Sequence, residues 1–287
     1  MHPFDRAVID LMNEKLQLLE KQFKADVVFY YGTMHPSYEK LFRDEIEKLK
    51  EKLEENETPN TRLVIFLNTP GGDALTVEQM VNVTRHHYAE VEFVVPDYAF
   101  SAGTLFCMSG DKIHMDYSSS LGPIDPQVPV KGDYVPALGY LDKVNEMMGK
   151  QELSMAEVIM LQQQDLAMLR YYEQARDLTV SLMKEWLVKY KFRNWTTHRT
   201  NTPGQPVTGA QKEERAEQIA ADLGDNKKWH SHGRHIGIKS LQKLRVEIED
   251  YSNVDETRNL IREYNEIVTG YIAQKNFTVF LHSRTMV

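Results

Sequence analysis

Four short apolar runs, ADVVFYYG, RLVIFLN, VEFVVP and DKIHMDY, divide the early part of the chain, and helical stretches separate them. RLVIFLN shows no polar alternation, so it suits a strand covered on both faces rather than one with a wet side. SYEKLFRDEIEKLKEKLEENE instead repeats apolar residues at helical spacing, with Tyr38, Leu41, Ile46, Leu49 and Leu53 along one side. ALTVEQMVNVTRHHY reads as a second helix and SAGTLFCMS as a short buried one. Strand and helix therefore alternate from residue 26 to about residue 117, which predicts an α/β fold with a largely parallel sheet.

The texture changes after residue 140. Residues 140–191 read as helix, 195–210 as a polar connector, and the remainder as mainly helical with an apolar FTVFLH near the end. At the N-terminal side Phe4, Val8, Leu11, Met12, Leu16, Leu19 and Phe23 recur at helical spacing. They predict an amphipathic helix packed on the core or on a neighbouring subunit. Three segments are expected: a helix over 1–25, a core over 26–191 and a helical C-terminal appendage over 192–287.

Composition narrows the function classes. A single cysteine, Cys107, rules out an internal disulfide framework and any multi-cysteine zinc site. A net charge of -8 supplies no basic field for a nucleic-acid backbone. No apolar run reaches the ~18 residues that a spanning helix requires. The first residues lack the basic and apolar regions of a secretory signal, so a cytoplasmic protein is expected.

Two turns carry chemistry. In FLNTPGGDALT, Pro70 ends a strand ladder, Gly71 and Gly72 open backbone angles closed to other residues, and a helix starts at once. The free N–H groups of such a start face the space above the strand end, where they can hold a negative oxygen. In YAFSAGTLFCMSG, Ser101 stands between a strand end and a small-residue helix, at that helix's positive end. Alone, the first is ordinary turn chemistry capped by Asp73, and the second is a capping serine. On neighbouring strands of one parallel sheet they share the carboxyl edge, where such sheets place their sites.

NTPGGDA, a helix, a strand, SAGT and then SSSLGPIDPQ together resemble the Clp protease and crotonase superfamily. The pattern is most similar to its signal peptide peptidase A branch, and there to the serine dehydrogenase proteinases. KEWLVKYKF, NWTTH and WHSHGRHI also resemble that group. The resemblance implies a Clp/crotonase-like fold and a serine peptidase acting on peptide or protein substrates. It implies Ser101 as nucleophile, the N–H groups of Gly72 and Ala102 as oxyanion hole, and Gly71 as the shaper of the turn. The Clp branch places a histidine downstream of the serine; the matching position in IDPQ is Asp125, so a Clp-type triad is not expected. The signal peptide peptidase branch uses a lysine instead. Of Lys131, Lys143 and Lys150, the resemblance selects Lys143, in GYLDKVNEMM ahead of SMAEVIML.

A lysine base must be neutral near pH 7, and burial among apolar side chains is the available means. Tyr140, Leu141, Val144, Met147 and Met148 are the candidates to bury Lys143; pairing with Asp142 or Glu146 at the surface is the alternative. His230, His232 and His235 are the other candidate bases. As a metal site they lack a nearby carboxylate in sequence, and a structural role is favoured. His114 reads as a half-buried strand residue. No metal or ATP is expected, and without a Gly-x-Gly-x-x-Gly fingerprint no nicotinamide cofactor. The superfamily implies a homo-oligomer, and nothing in the chain points to an unfoldase partner. Two other functions stay in view: a crotonase-like acyl-CoA enzyme, which needs no nucleophilic serine, and a non-catalytic scaffold or adaptor on the same fold.

Overall fold

Each of the four apolar runs becomes a strand of one central sheet. The computed structural model describes residues 2–51, 60–130, 133–198 and 202–286; Leu53, the rest of the helical reading over 52–57 and Lys131 lie outside them. The first half comprises α1 (Pro3–Phe23), β1 (Asp26–Gly32), α2 (Glu39–Glu51), β2 (Arg62–Asn68), α3 (Ala74–His87), β3 (Glu90–Val95), β4 (Tyr98–Ala99), α4 (Ala102–Met108) and β5 (Lys112–Met115). Then come β6 (Ser120–Leu121), β7 (Gln127–Val130), β8 (Asp133–Pro136), α5 (Ala137–Met148), α6 (Met155–Gln162) and α7 (Leu166–Trp186), which runs into a π-turn at Leu187–Lys191. The chain continues through α8 (Gly209–Gly224), α9 (Asn226–Trp229), α10 (Ile238–Lys243), β9 (Glu249–Asp250), α11 (Asp255–Lys275) and β10 (Val279–His282).

The sheet order is β10-β1-β2-β3-β5-β9, parallel throughout except for β10. Period-two alternation sorts its side chains between two helical layers. Val28, Tyr30, Ile65, Leu67, Phe93 and Val95 join the core shared with α2, α3, α4, α7 and α8. Val27, Phe29, Val64, Phe66 and Val94 face α1 and α11. On α1, Ile9, Met12, Leu16 and Leu19 are buried, whereas Phe4 and Leu11 face outward.

The C-terminal segment is mainly helical and also supplies two strands to the sheet, across the expected segment boundary at 191. β10 pairs antiparallel with β1, setting His282 opposite Phe29, and the two-residue β9 extends the other edge beside β5. His282 is fully buried there, 2.8 Å from the Tyr264 hydroxyl and 3.1 Å from Asn13 Oδ1. Arg284 then reaches back to Glu20 and to buried Asp26, at 2.8 and 2.7 Å. The helical reading over 140–191 resolves into three helices. Ser154 and Glu157 form a reciprocal capping box that starts α6, and the Asp165 carboxylate caps α7.

Candidate active site

The glycine pair and the serine meet at the carboxyl edge of the sheet. Beyond β2, Thr69 pairs with Ala99: the Thr69 N–H donates to the Tyr98 carbonyl and the Phe100 N–H to the Thr69 carbonyl, both at 3.0 Å. The Thr69 hydroxyl turns back to accept the Gly71 N–H at 3.0 Å. On the other side, Met34 pairs with the glycine turn, its N–H donating to the Gly71 carbonyl at 2.8 Å and its carbonyl accepting from Asp73 at 2.9 Å. In such a parallel bridge the middle residue, Gly72, directs its own N–H away from Met34. Both glycines are required. A Cβ on Gly71 (φ 105°) would sit 2.6 Å from the Phe100 carbonyl oxygen and 2.8 Å from the Ser101 Cβ; one on Gly72 (φ 152°) would strike the Met34 carbonyl oxygen at 2.0 Å. Asp73 caps α3 by accepting the Thr76 N–H at 2.7 Å.

Ser101 occupies a strained strand-to-helix turn, with φ 53° and ψ -116°. Among the described residues four other non-glycine residues have positive φ, but Ser101 departs from the ordinary left-handed region, and its conformation costs about 1–3 kcal/mol. Its hydroxyl makes no capping hydrogen bond. The surroundings hold the turn in place. The Gly103 N–H donates to the Phe100 carbonyl at 2.8 Å, and a Cβ on Gly103 would lie 2.5 Å from the Thr69 methyl. The Ala102 N–H, first of the helix, needs no partner within the helix and is free to face a ligand.

Thr104, fully buried, ties this turn to the downstream loop. Its hydroxyl lies 2.8 Å from the Ala99 carbonyl and 2.9 Å from that of Gly122, and it accepts the Gly122 N–H at 2.9 Å. Sequence reasoning missed Thr69 and Thr104, although both stand inside the quoted motifs NTPGG and SAGT. The loop carries Asp125, 2% exposed, which accepts from His232 Nδ1 and from Gln127 Nε2, each at 2.9 Å. The carboxylate missing near WHSHGRHI in sequence is therefore supplied by the fold. The same segment pairs along the loop through Leu121 and Ile236. His235 meets Ser120 Oγ at 2.7 Å and packs its ring edge-on to Phe100, centroids 4.9 Å apart.

Asp125, Lys143, His230 and His232 border one cavity of about 440 Å³, together with Tyr140 and Ser231. Ser101 is not among its lining residues; Phe100 with His235 and Thr104 with Gly122 bridge the two groups. Lys143 is exposed, and its ammonium lies 3.2 Å from Glu146 on the next turn of α5, so the burial expected of a lysine base is absent in this isolated chain. His114 is half-buried on β5 and bonded to Glu92 at 2.7 Å. Among the described residues no group of three His, Cys, Asp or Glu side chains is placed to hold a metal ion, and no helix is long and apolar enough to cross a membrane.

Comparison with known proteins gives the family of the chain. The chain is 44% identical over 64 residues to one uncharacterised protein of Methanocaldococcus jannaschii and 38% identical over 78 residues to another. These matches take up 22% and 27% of this chain and about a quarter of the relatives' own length, 22% and 25%. Two solved structures of the 1510-N membrane-bound stomatin-specific protease are similar at low level. A lysine-to-alanine variant in complex with a substrate peptide aligns at 18% identity and TM-score 0.36, over 56% of this chain and 57% of that one. A serine-to-alanine variant aligns at 19% identity and TM-score 0.34, over 57% and 75%. The family described as a ClpP-like SDH-type serine proteinase matches residues 36–210, more than half of the chain. With that match on the glycine turn, the strained serine and the loop beyond, the chain belongs to the ClpP-like SDH-type serine proteinases.

Proposed function

We propose that the protein is a serine peptidase in which Ser101 is the nucleophile. The observation that carries this reading is the strained, uncapped Ser101 set directly against the Gly71–Gly72 turn. Ser101 Oγ attacks the substrate carbonyl, and its proton passes to a general base. The N–H groups of Gly72 and Ala102 hold the oxyanion. The base returns the proton to the leaving amine, and water then hydrolyses the acyl-enzyme.

The base assignment has two forms. Lys143 is the form implied by the family resemblance, and it requires that substrate or a second copy of the chain cover the cavity and displace Glu146. The homo-oligomer expected from sequence would serve that end. The second form rests on the Asp125–His232 pair. A buried carboxylate accepting from Nδ1 fixes the imidazole tautomer and leaves Nε2 free to take a proton.

Labelling with a fluorophosphonate across pH 6–10 tests both. Loss of labelling in Ser101→Ala, with retained fold, supports the peptidase. Loss in Lys143→Ala but not in His232→Ala selects the lysine, and the reverse selects the histidine. Absence of labelling in folded wild type at every pH would overturn the proposal in favour of a scaffold or adaptor.

A further inference from the structure

The segments KEWLVKYKF and NWTTH find no use in the peptidase chemistry, yet they border a second cavity, of about 830 Å³. It lies at the far end of α4, the short helix that follows Ser101. Asp111 and Lys112, which follow α4, line it, as does Lys191 at the end of the π-turn. Its volume falls within the range of small-molecule sites.

Four cationic side chains border this cavity: Lys112, Lys191, Arg215 and Arg245. Lys112 lies 3.4 Å from Glu92, whereas the side chains of Lys191, Arg215 and Arg245 make no hydrogen bond or ion pair among the described residues. Burial, and then the charge of Arg245, hold Arg215 below the usual guanidinium range, with Glu214 opposing. Burial pulls Lys191 down to about 8 against the attraction of Glu247, Cys107, Glu249 and Asp111. Four carboxylates, Asp111, Glu214, Glu247 and Glu249, line the same cavity. Asp111 is taken by Arg85 and Arg193, each at 2.8 Å, and by the Val91 N–H. Glu214, Glu247 and Glu249 are exposed, and the last two attract Lys191. Beside the cations runs an aromatic row, Phe192 edge-on to Trp195 at 5.5 Å and Trp195 edge-on to His198 at 5.8 Å.

We propose that this cavity binds a small organic phosphate bearing a planar ring, with the phosphate between Arg215, Arg245 and Lys191 and the ring against the Phe192–Trp195 edge. Guanidinium forks match phosphate oxygens in pairs, and an aromatic edge favours a flat partner. The proposal is independent of the chemistry at Ser101.

Calorimetric titration of the full chain with adenosine monophosphate, adenosine and inorganic phosphate tests it. The monophosphate binds roughly tenfold more tightly than either fragment, and Arg215→Gln and Arg245→Gln each weaken it by a similar factor, the loss expected for a charge-assisted bond. Arg245 is exposed, so its variant keeps the fold. Lys184→Gln, which removes an exposed partner of Glu217, leaves affinity unchanged. No heat with the monophosphate, equal affinity for adenosine or for inorganic phosphate, or unchanged binding in the double arginine variant would overturn the proposal.

Discussion

Gly72→Ala probes the oxyanion turn directly. A methyl on Gly72 would meet the Met34 carbonyl oxygen at 2.0 Å and two further Met34 backbone atoms at 2.7 and 2.9 Å, whereas ordinary contact begins at 3.4 Å. Because all three atoms are backbone, no side chain can swing aside, and the turn must retreat by about 1.4 Å, the difference between 3.4 and 2.0 Å. The retreat stretches the 2.8 Å Met34–Gly71 and 2.9 Å Asp73–Met34 hydrogen bonds past useful length. Two lost bonds at about 1 kcal/mol each, plus about 1–3 kcal/mol of alanine strain, come to roughly 3–5 kcal/mol of stability. A domain in the middle of the ordinary range, about 10 kcal/mol, stays folded under that loss. The displaced N–H, however, no longer faces the oxyanion, and losing one such donor slows acyl transfer by about 100- to 1000-fold. Fluorophosphonate acylation rates, measured beside urea unfolding and circular dichroism, check both numbers. Wild-type acylation at wild-type stability would refute the geometry, and a stability loss with an unchanged rate would refute the oxyanion role.

Three further outcomes are expected. Gly103→Ala places a methyl 2.5 Å from the Thr69 Cγ2 and 3.3 Å from the Ala99 Cβ, so it costs about 1–3 kcal/mol in urea unfolding; adding Thr69→Ser, which removes that methyl and keeps the hydroxyl for Gly71, recovers most of it. His282 is pushed down to about 4 by burial, so it is neutral in the folded state while the unfolded state protonates near 6.5. Its contribution is intact above about pH 6.5 and falls by about 1.4 kcal/mol per pH unit down to about pH 4, and urea midpoints of His282→Gln should show a flatter slope in that window. Arg284→Met strips the cation from Asp26, which is 1% exposed, and leaves it with the Tyr88 hydroxyl and the Asn60 amide. Breaking such a pair costs about 3–5 kcal/mol, and a thermal-melt loss below about 1 kcal/mol would contradict the clamp.

Local pattern made the parallel core legible. RLVIFLN is apolar on both faces, as a sheet covered on both sides requires, and β2 appears where that run stands. The edge strand β9 was illegible for the opposite reason. β9 is two exposed acidic residues with no apolar signature, and its pairing depends on β5 already standing there.

The sequence by itself determined the two halves of the candidate site, because proline, paired glycines and a serine before Ala-Gly constrain the backbone within a few residues of themselves. Tertiary structure alone decided what surrounds them. It brought Gly71 against Ser101, set Asp125 on His232 across more than a hundred residues of chain, and left Lys143 at the surface beside Glu146. Burial and partnership are properties of the packed chain. A lysine's sequence neighbours do not say which side of its helix meets water, and a carboxylate's cannot name the imidazole that folding will deliver.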